Sequence, residues 1–187
     1  MDALTLADLK PQQKALDLLL DGLSQNYLTS LGLINCGVKD RHLPSLLNAV
    51  SCVQELKLNW CEFRHSSYAL LAGYLGENRK LRSVDLSWNF VLKEPYKDEL
   101  TSSDADLILA ICSFVRYNTN LEHLGLENMR LNRTAILKIV RCLKFALSCR
   151  VVQLSGNPGV TESIITKLAS ILSAKMKPAP INVSDKL

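Results

Sequence analysis

Leu81-Arg-Ser-Val84-Asp-Leu86-Ser-Trp88-Asn89-Phe-Val91 is a phrase in two halves. The first half alternates apolar and polar residues with period two, as a strand with one buried face does. The second half turns through Ser, Trp and Asn and returns to an apolar residue. The same phrase stands at Leu28-Thr-Ser-Leu31-Gly-Leu33-Ile-Asn-Cys36-Gly-Val38 and at Val53-Gln-Glu-Leu56-Lys-Leu58-Asn-Trp60-Cys61-Glu-Phe63. It recurs at Leu121-Glu-His-Leu124-Gly-Leu126-Glu-Asn-Met129-Arg-Leu131, and more loosely at Cys149-Arg-Val-Val152-Gln-Leu154-Ser-Gly-Asn157, closed by Val160. Apolar residues hold places one, four, six and eleven, and place nine is Asn, Cys or, once, Met. A unit of this size cannot bury its apolar face alone, so the copies must stack.

The copies start at 28, 53, 81, 121 and 149, giving steps of 25, 28, 40 and 28 residues. Steps near 28 leave room for a full α-helix between strands. Helical spacing is present there: from Leu43 with Pro44 in the opening turn, from Ser66 to Gly76, and from a capping Ser103 through Val115. It continues over Asn132–Leu143 and Thr161–Leu172. Short strands alternating with helices predict an α/β fold, a parallel sheet backed by helices. The Asn side chains at place nine are expected to donate to carbonyls of adjoining turns and link the copies in a ladder. Met129 cannot do so, and the ladder is expected to falter there.

Cys and Asn at place nine, a period near 28, and the run over residues 56–89 resemble leucine-rich repeats of the ribonuclease-inhibitor-like subfamily. That subfamily includes ribonuclease inhibitors, NLR receptor arms, Ran GTPase-activating proteins and tropomodulins. The resemblance covers roughly residues 28–176. It implies a right-handed horseshoe solenoid with a parallel concave sheet and convex helices. It implies little about function, because such proteins share a scaffold and not an activity.

The resulting organisation is an N-terminal helical cap over 1–27, about five repeats over 28–176 with an insertion at 92–103, and a C-terminal tail over 177–187. Residues 4–23 are read as the amphipathic helix of the cap. The last copy has no successor, so its edge is covered either by the Pro-containing tail or by a partner, self-association included. The six cysteines follow the repeat rather than a disulfide framework, which predicts free thiols in a reducing compartment. The N-terminus lacks a basic region followed by an apolar run, and no stretch reaches the roughly 18 apolar residues of a membrane span. The expected setting is cytoplasmic, with the cytoskeleton or nucleus as variants.

The sequence offers little to catalysis. Cys61 and His65 could supply half a zinc site, but no second close pair accompanies them. Ser155-Gly-Asn-Pro-Gly159 lacks the lysine and spacing of a phosphate loop and reads as a turn. No enzyme, cofactor or metal is therefore expected. The net charge of +4 is mild, and Arg133, Lys138, Arg141, Lys144 and Arg150 read as a solvated helical face. Aromatic interleaving suited to bases is missing, which argues against nucleic acid.

What remains is a sheet face whose side chains at places three, five, seven and eight should meet solvent. Both tryptophans of the chain, Trp60 and Trp88, fall at place eight of consecutive copies. Strands lie about 4.8 Å apart, so the indoles should be neighbours, either as an interface hot spot or as packing that finishes the rim. Lys57 and Asp85 are expected to form a cross-strand ion pair. The insertion, with Tyr96 at its tip, is either a tolerated loop or a functional one. The residues assigned to partner binding are Trp60, Trp88, Glu55, Lys57, Asp85, His123, Glu127 and Tyr96. The expected function is non-enzymatic binding of another protein, in a cytoskeletal or signalling setting. The alternatives are a small-GTPase-activating protein of the Ran-GAP type, or a sensor segment of a larger receptor or pathogen effector.

Overall fold

Leucines at places one, four and six are the physical cause of the sheet: Leu28, Leu31, Leu33, Leu56, Leu58, Leu81, Leu121, Leu124 and Leu126 are all buried. Each such burial contributes about 1.5–3 kcal/mol relative to exposure. The computed structural model describes residues 2–9, 13–25, 27–61, 63–89, 92 and 95–176. Its strands are β1 (Ala3–Ala7), β2 (Ser30–Ile34), β3 (Glu55–Asn59), β4 (Ser83–Asp85), β5 (His123–Gly125) and β6 (Val151–Gln153). They form one parallel sheet in chain order. The helices are α1 (Gln13–Ser24), α2 (Leu43–Ala49), α3 (His65–Glu77), α4 (Ser102–Tyr117), α5 (Arg133–Leu143) and α6 (Glu162–Met176), with a 3₁₀ turn at Asp40–His42. Each helix packs on the next, and their apolar faces meet the leucines of the sheet in one continuous core.

The N-terminus corrects the sequence reading. Residues 4–23 are not a single helix: β1 precedes α1 and pairs with β2 in register, Ala3 opposite Ser30. Leu4 and Leu6 thus stand at places four and six of a further copy of the phrase, opposite Leu31 and Leu33. The cap is itself a strand-and-helix unit, and the sheet has one more strand than the phrase was seen to recur.

Helix starts follow local chemistry. Pro44 occupies the opening turn of α2, where its missing N–H costs nothing. The cap of α4 is Thr101 rather than Ser103: Thr101 Oγ1 accepts the Asp104 N–H at 3.2 Å, and Asp104 Oδ2 accepts the Thr101 N–H at 3.2 Å. At α5, Asn132 Oδ1 accepts the Ala135 N–H at 2.9 Å. All six cysteines are free. Among the described residues no helix is long and apolar enough to cross a membrane. The tail over 177–187 lies outside the described residues.

The candidate partner-binding rim

Two ladders of side-chain amides hold the copies in line. In the first, Asn89 Nδ2 donates to Leu58 O at 2.6 Å and Leu86 O at 2.7 Å, while its Oδ1 accepts the Cys61 N–H at 2.7 Å. Asn157 repeats the pattern on Leu126 O and Leu154 O and accepts the N–H groups of Met129 and Leu131. Cys36 fills the same niche, its Sγ 3.3 Å from both Leu6 O and Ile34 O. Met129 is fully buried and offers no such rung, as its thioether predicts. The second ladder, at the other end of the strands, was not foreseen. Asn118 Nδ2 donates to Leu75 O at 2.7 Å and Asn78 O at 3.0 Å, and Asn78 Nδ2 to Val50 O at 3.2 Å. The signal was present as Asn-x-x-Leu, with Asn78 and Asn118 each three residues before place one of a copy.

With the strands so aligned, place eight becomes a row. Asp8, Asn35, Trp60, Trp88, Asn128 and Gly156 all have positive φ, between 51° and 72°. The left-handed residue turns the chain out of each strand, and its N–H reaches the place-seven carbonyl of the next copy. Asp8 donates to Ile34 O, Asn35 to Asn59 O, Trp88 to Glu127 O and Asn128 to Ser155 O, at 2.8–2.9 Å. Asn, Asp and Gly tolerate this conformation; a bulky residue there is an outlier. The two tryptophans are those outliers.

Their indoles stack, with ring centroids 5.2 Å apart and planes 17° from parallel. Both remain accessible, Trp60 at 43% and Trp88 at 40%. A left-handed L-residue costs about 1–2 kcal/mol, and an aromatic pair returns about 0.5–1.5 kcal/mol beyond its buried area. Stacking therefore falls short of the strain of two such residues, about 2–4 kcal/mol together.

The other assigned residues divide. Glu55, Lys57 and His123 are exposed on the face of the sheet opposite the helices. Glu127 is half-buried beside the pair; its N–H donates to Ser87 Oγ at 3.0 Å, and its carbonyl accepts from Trp88. Lys57 and Asp85 are register partners but form no ion pair. Asp85 Oδ1 instead accepts the Ser87 N–H at 2.9 Å, closing the turn, and Gly125 leaves room for its carboxylate. At place seven, Asn59 and Ser87 are buried rather than solvated, because Asn59 Nδ2 donates to Ser87 O at 3.0 Å and Ser87 receives Glu127.

Tyr96 is 90% exposed, and no ring contact joins it to either indole. The chain beside it is anchored, since Asn132 Nδ2 donates to Lys97 O at 2.6 Å and Glu99 O at 3.4 Å. The insertion is thereby tied to the head of α5. Nothing in the sequence marked Asn132 for this second task beyond its capping position. Among the described residues no three His, Cys, Asp or Glu side chains group as metal ligands.

The fold has a counterpart among solved structures. The chain shares its fold with a leiomodin domain. The match is to the structure described as leiomodin-1 actin-binding site 2, with a TM-score of 0.68 over 89% of this chain and 91% of that one, at 16% identity. The tropomodulin C-terminal domain of Caenorhabditis elegans aligns at a TM-score of 0.47 over 94% of this chain and 84% of that one, at 11% identity. No protein-family model matches the sequence, and no curated protein sequence does.

Proposed function

We propose that the protein is a non-enzymatic binding module of the cytoskeleton that holds another protein against the rim at Trp60 and Trp88. One observation carries this reading: a pair of tryptophans occupies strained backbone positions that Asn, Asp and Gly fill elsewhere, while staying about two-fifths exposed. Internal packing does not account for that choice, whereas an indole pair at a contact surface supplies large rigid area to a partner. In this reading the repeats are of the ribonuclease-inhibitor-like type and curve into a short horseshoe, with Glu55, Lys57, Asp85, His123 and Glu127 on the concave side and Tyr96 beside it. Actin is the first partner to test, because the leiomodin domain of like fold is described as an actin-binding site.

The test uses a double variant, Trp60→Asn with Trp88→Asn, since Asn35 and Asn128 show that this residue suits the place. The variant is expected to keep its melting temperature within about 4 °C, the change produced by about 1 kcal/mol in a chain of this size. Cosedimentation with filamentous actin, and titration of monomeric actin, should weaken at least tenfold, the loss typical of an interface anchor worth about 2 kcal/mol. Equal binding by the two proteins removes the rim as the contact surface. No binding by the wild type removes actin as the partner.

A further inference from the structure

The rim differs in sign from the chain that carries it. The whole sequence has a net charge of +4. At places three, five, seven and eight the charged residues among those described are Asp8, Glu55, Asp85 and Glu127 against Lys57, four carboxylates and one ammonium. The positive excess lies elsewhere, including Arg133, Arg141, Lys144 and Arg150, all exposed on or just beyond α5.

The carboxylates also differ in how they are engaged. Asp8 Oδ1 accepts from Asn35 Nδ2 at 2.8 Å, and Asp85 Oδ1 accepts from the Ser87 N–H. Glu127 is half-buried, and among the described residues no hydrogen bond or ion pair engages its carboxylate. A carboxylate with no cation of its own beside it can be met by one that a partner brings. Glu127 lies next to Trp88 across the β4–β5 boundary, joined to it through the backbone at 2.8 Å. One face of the Trp88 indole is stacked on Trp60, and the strand that follows β4 in the sheet is β5, whose turn holds Glu127 and Asn128. An indole face beside a carboxylate is the combination that recognises an ammonium or guanidinium group, attracted at once by the ring quadrupole and by the charge.

We propose that the rim receives a lysine or arginine from a basic segment of the partner protein, placed over Trp88 and answered by Glu127. This rests on the reading of the rim as the partner-binding surface and adds the chemistry of what docks there. Lys57 is exposed on β3 and disfavours a second cation there, so the docking segment carries its charge toward the β4–β5 side.

The two tryptophans are the only ones in the chain, so fluorescence excited at about 295 nm, where the five tyrosines hardly absorb, reports on this rim alone. The intact protein is titrated with three peptides of one length: alternating Gly-Arg, alternating Gly-norleucine and alternating Gly-Glu. The Gly-Arg peptide is expected to perturb the emission saturably, to weaken as salt rises, and to bind more tightly than the other two. Glu127→Gln should weaken it about three- to fivefold at low salt with the near-ultraviolet circular dichroism unchanged, the effect of losing one partly exposed charge contact. Trp88→Asn, with Trp60 left as reporter, should weaken it at least as much. Tighter binding of the norleucine peptide overturns the cationic assignment while leaving the rim as a contact surface. Gly-Arg binding that both variants leave unaltered, or no response to any peptide, overturns it also. Failure of the parent reading shows separately, as actin binding indifferent to the double Asn substitution.

Discussion

A left-handed turn recurs from Asp8 to Gly156, and only its side chain changes from copy to copy. At the scale of single residues the protein places its chemistry in such substitutions on a fixed backbone. His42 is a second example. It is buried; its Nδ1 accepts the Lys39 N–H at 2.9 Å, and its Nε2 lies 3.1 Å from Arg41 Nε and 3.6 Å from Asp17 Oδ1. Burial, with help from Arg41 and Lys39, outweighs Asp17 and holds its pKa below the usual 6.5. The folded protein thus takes up the proton less readily than the unfolded chain. The stability this gives is complete above pH 6.5 and is lost as pH falls toward the lowered value. Melting temperature should drop from pH 7 to pH 5, and His42→Gln should flatten that slope. The tryptophan row was legible in the sequence because the phrase has a fixed register. The fate of Asp85 was not, since register names neighbours but leaves open whether a carboxylate turns to a lysine or to its own turn.

At the scale of elements, the strand that escaped the sequence reading shows where pattern fails. Leu4 and Leu6 alternate as a strand does, but Leu9, Leu16 and Leu20 follow at spacings that suit a helix. Place nine of that copy is Leu9 and place eleven is Pro11, so the residues that mark the other turns are missing. Pairing with β2 supplied what local pattern did not. Helices were the more legible elements, as α5 and α6 began within a residue of their expected starts; α4 moved its cap by two, because Thr101 completes a reciprocal pair with Asp104 and Ser103 does not. The turn that closes the fifth copy gives a sharper test. A β-carbon on Gly159 would collide with the backbone of Asn132 and Arg133, and the Gly159 N–H donates to Leu131 O at 2.9 Å. Gly159→Ala should therefore cost about 1–3 kcal/mol, the range for overpacking against a fixed backbone, read as a lower urea midpoint at unchanged slope.

At the scale of the whole molecule, stability depends on neighbours, as it does in any stacked array. Asn157 holds two carbonyls and two N–H groups and is itself buried. Asn157→Ala leaves several buried polar groups without partners and should cost about 2–4 kcal/mol. Hydrogen exchange should show the loss first at the amides of Met129 and Leu131, in the copy before the substituted one. Exchange confined to residues near 157 would contradict this direction of dependence. The fold was legible at this scale because five imperfect copies agree with one another even where each alone is ambiguous. The site was legible only as a place, since the strain that marks it resides in backbone angles that no residue name records.

The amide rungs reach backward: Asn89 completes the turn at Cys61, and Asn157 the turn at Met129, each from 28 residues downstream. On the ribosome this becomes an order of events in time. A turn that waits for such a rung stays unfinished until the next unit has been translated, so the nascent array matures one repeat behind its growing end. The third copy differs, for no rung from Met129 is due, and its turn, the one that bears Trp88, waits instead on the backbone bond from the Trp88 N–H to Glu127 O.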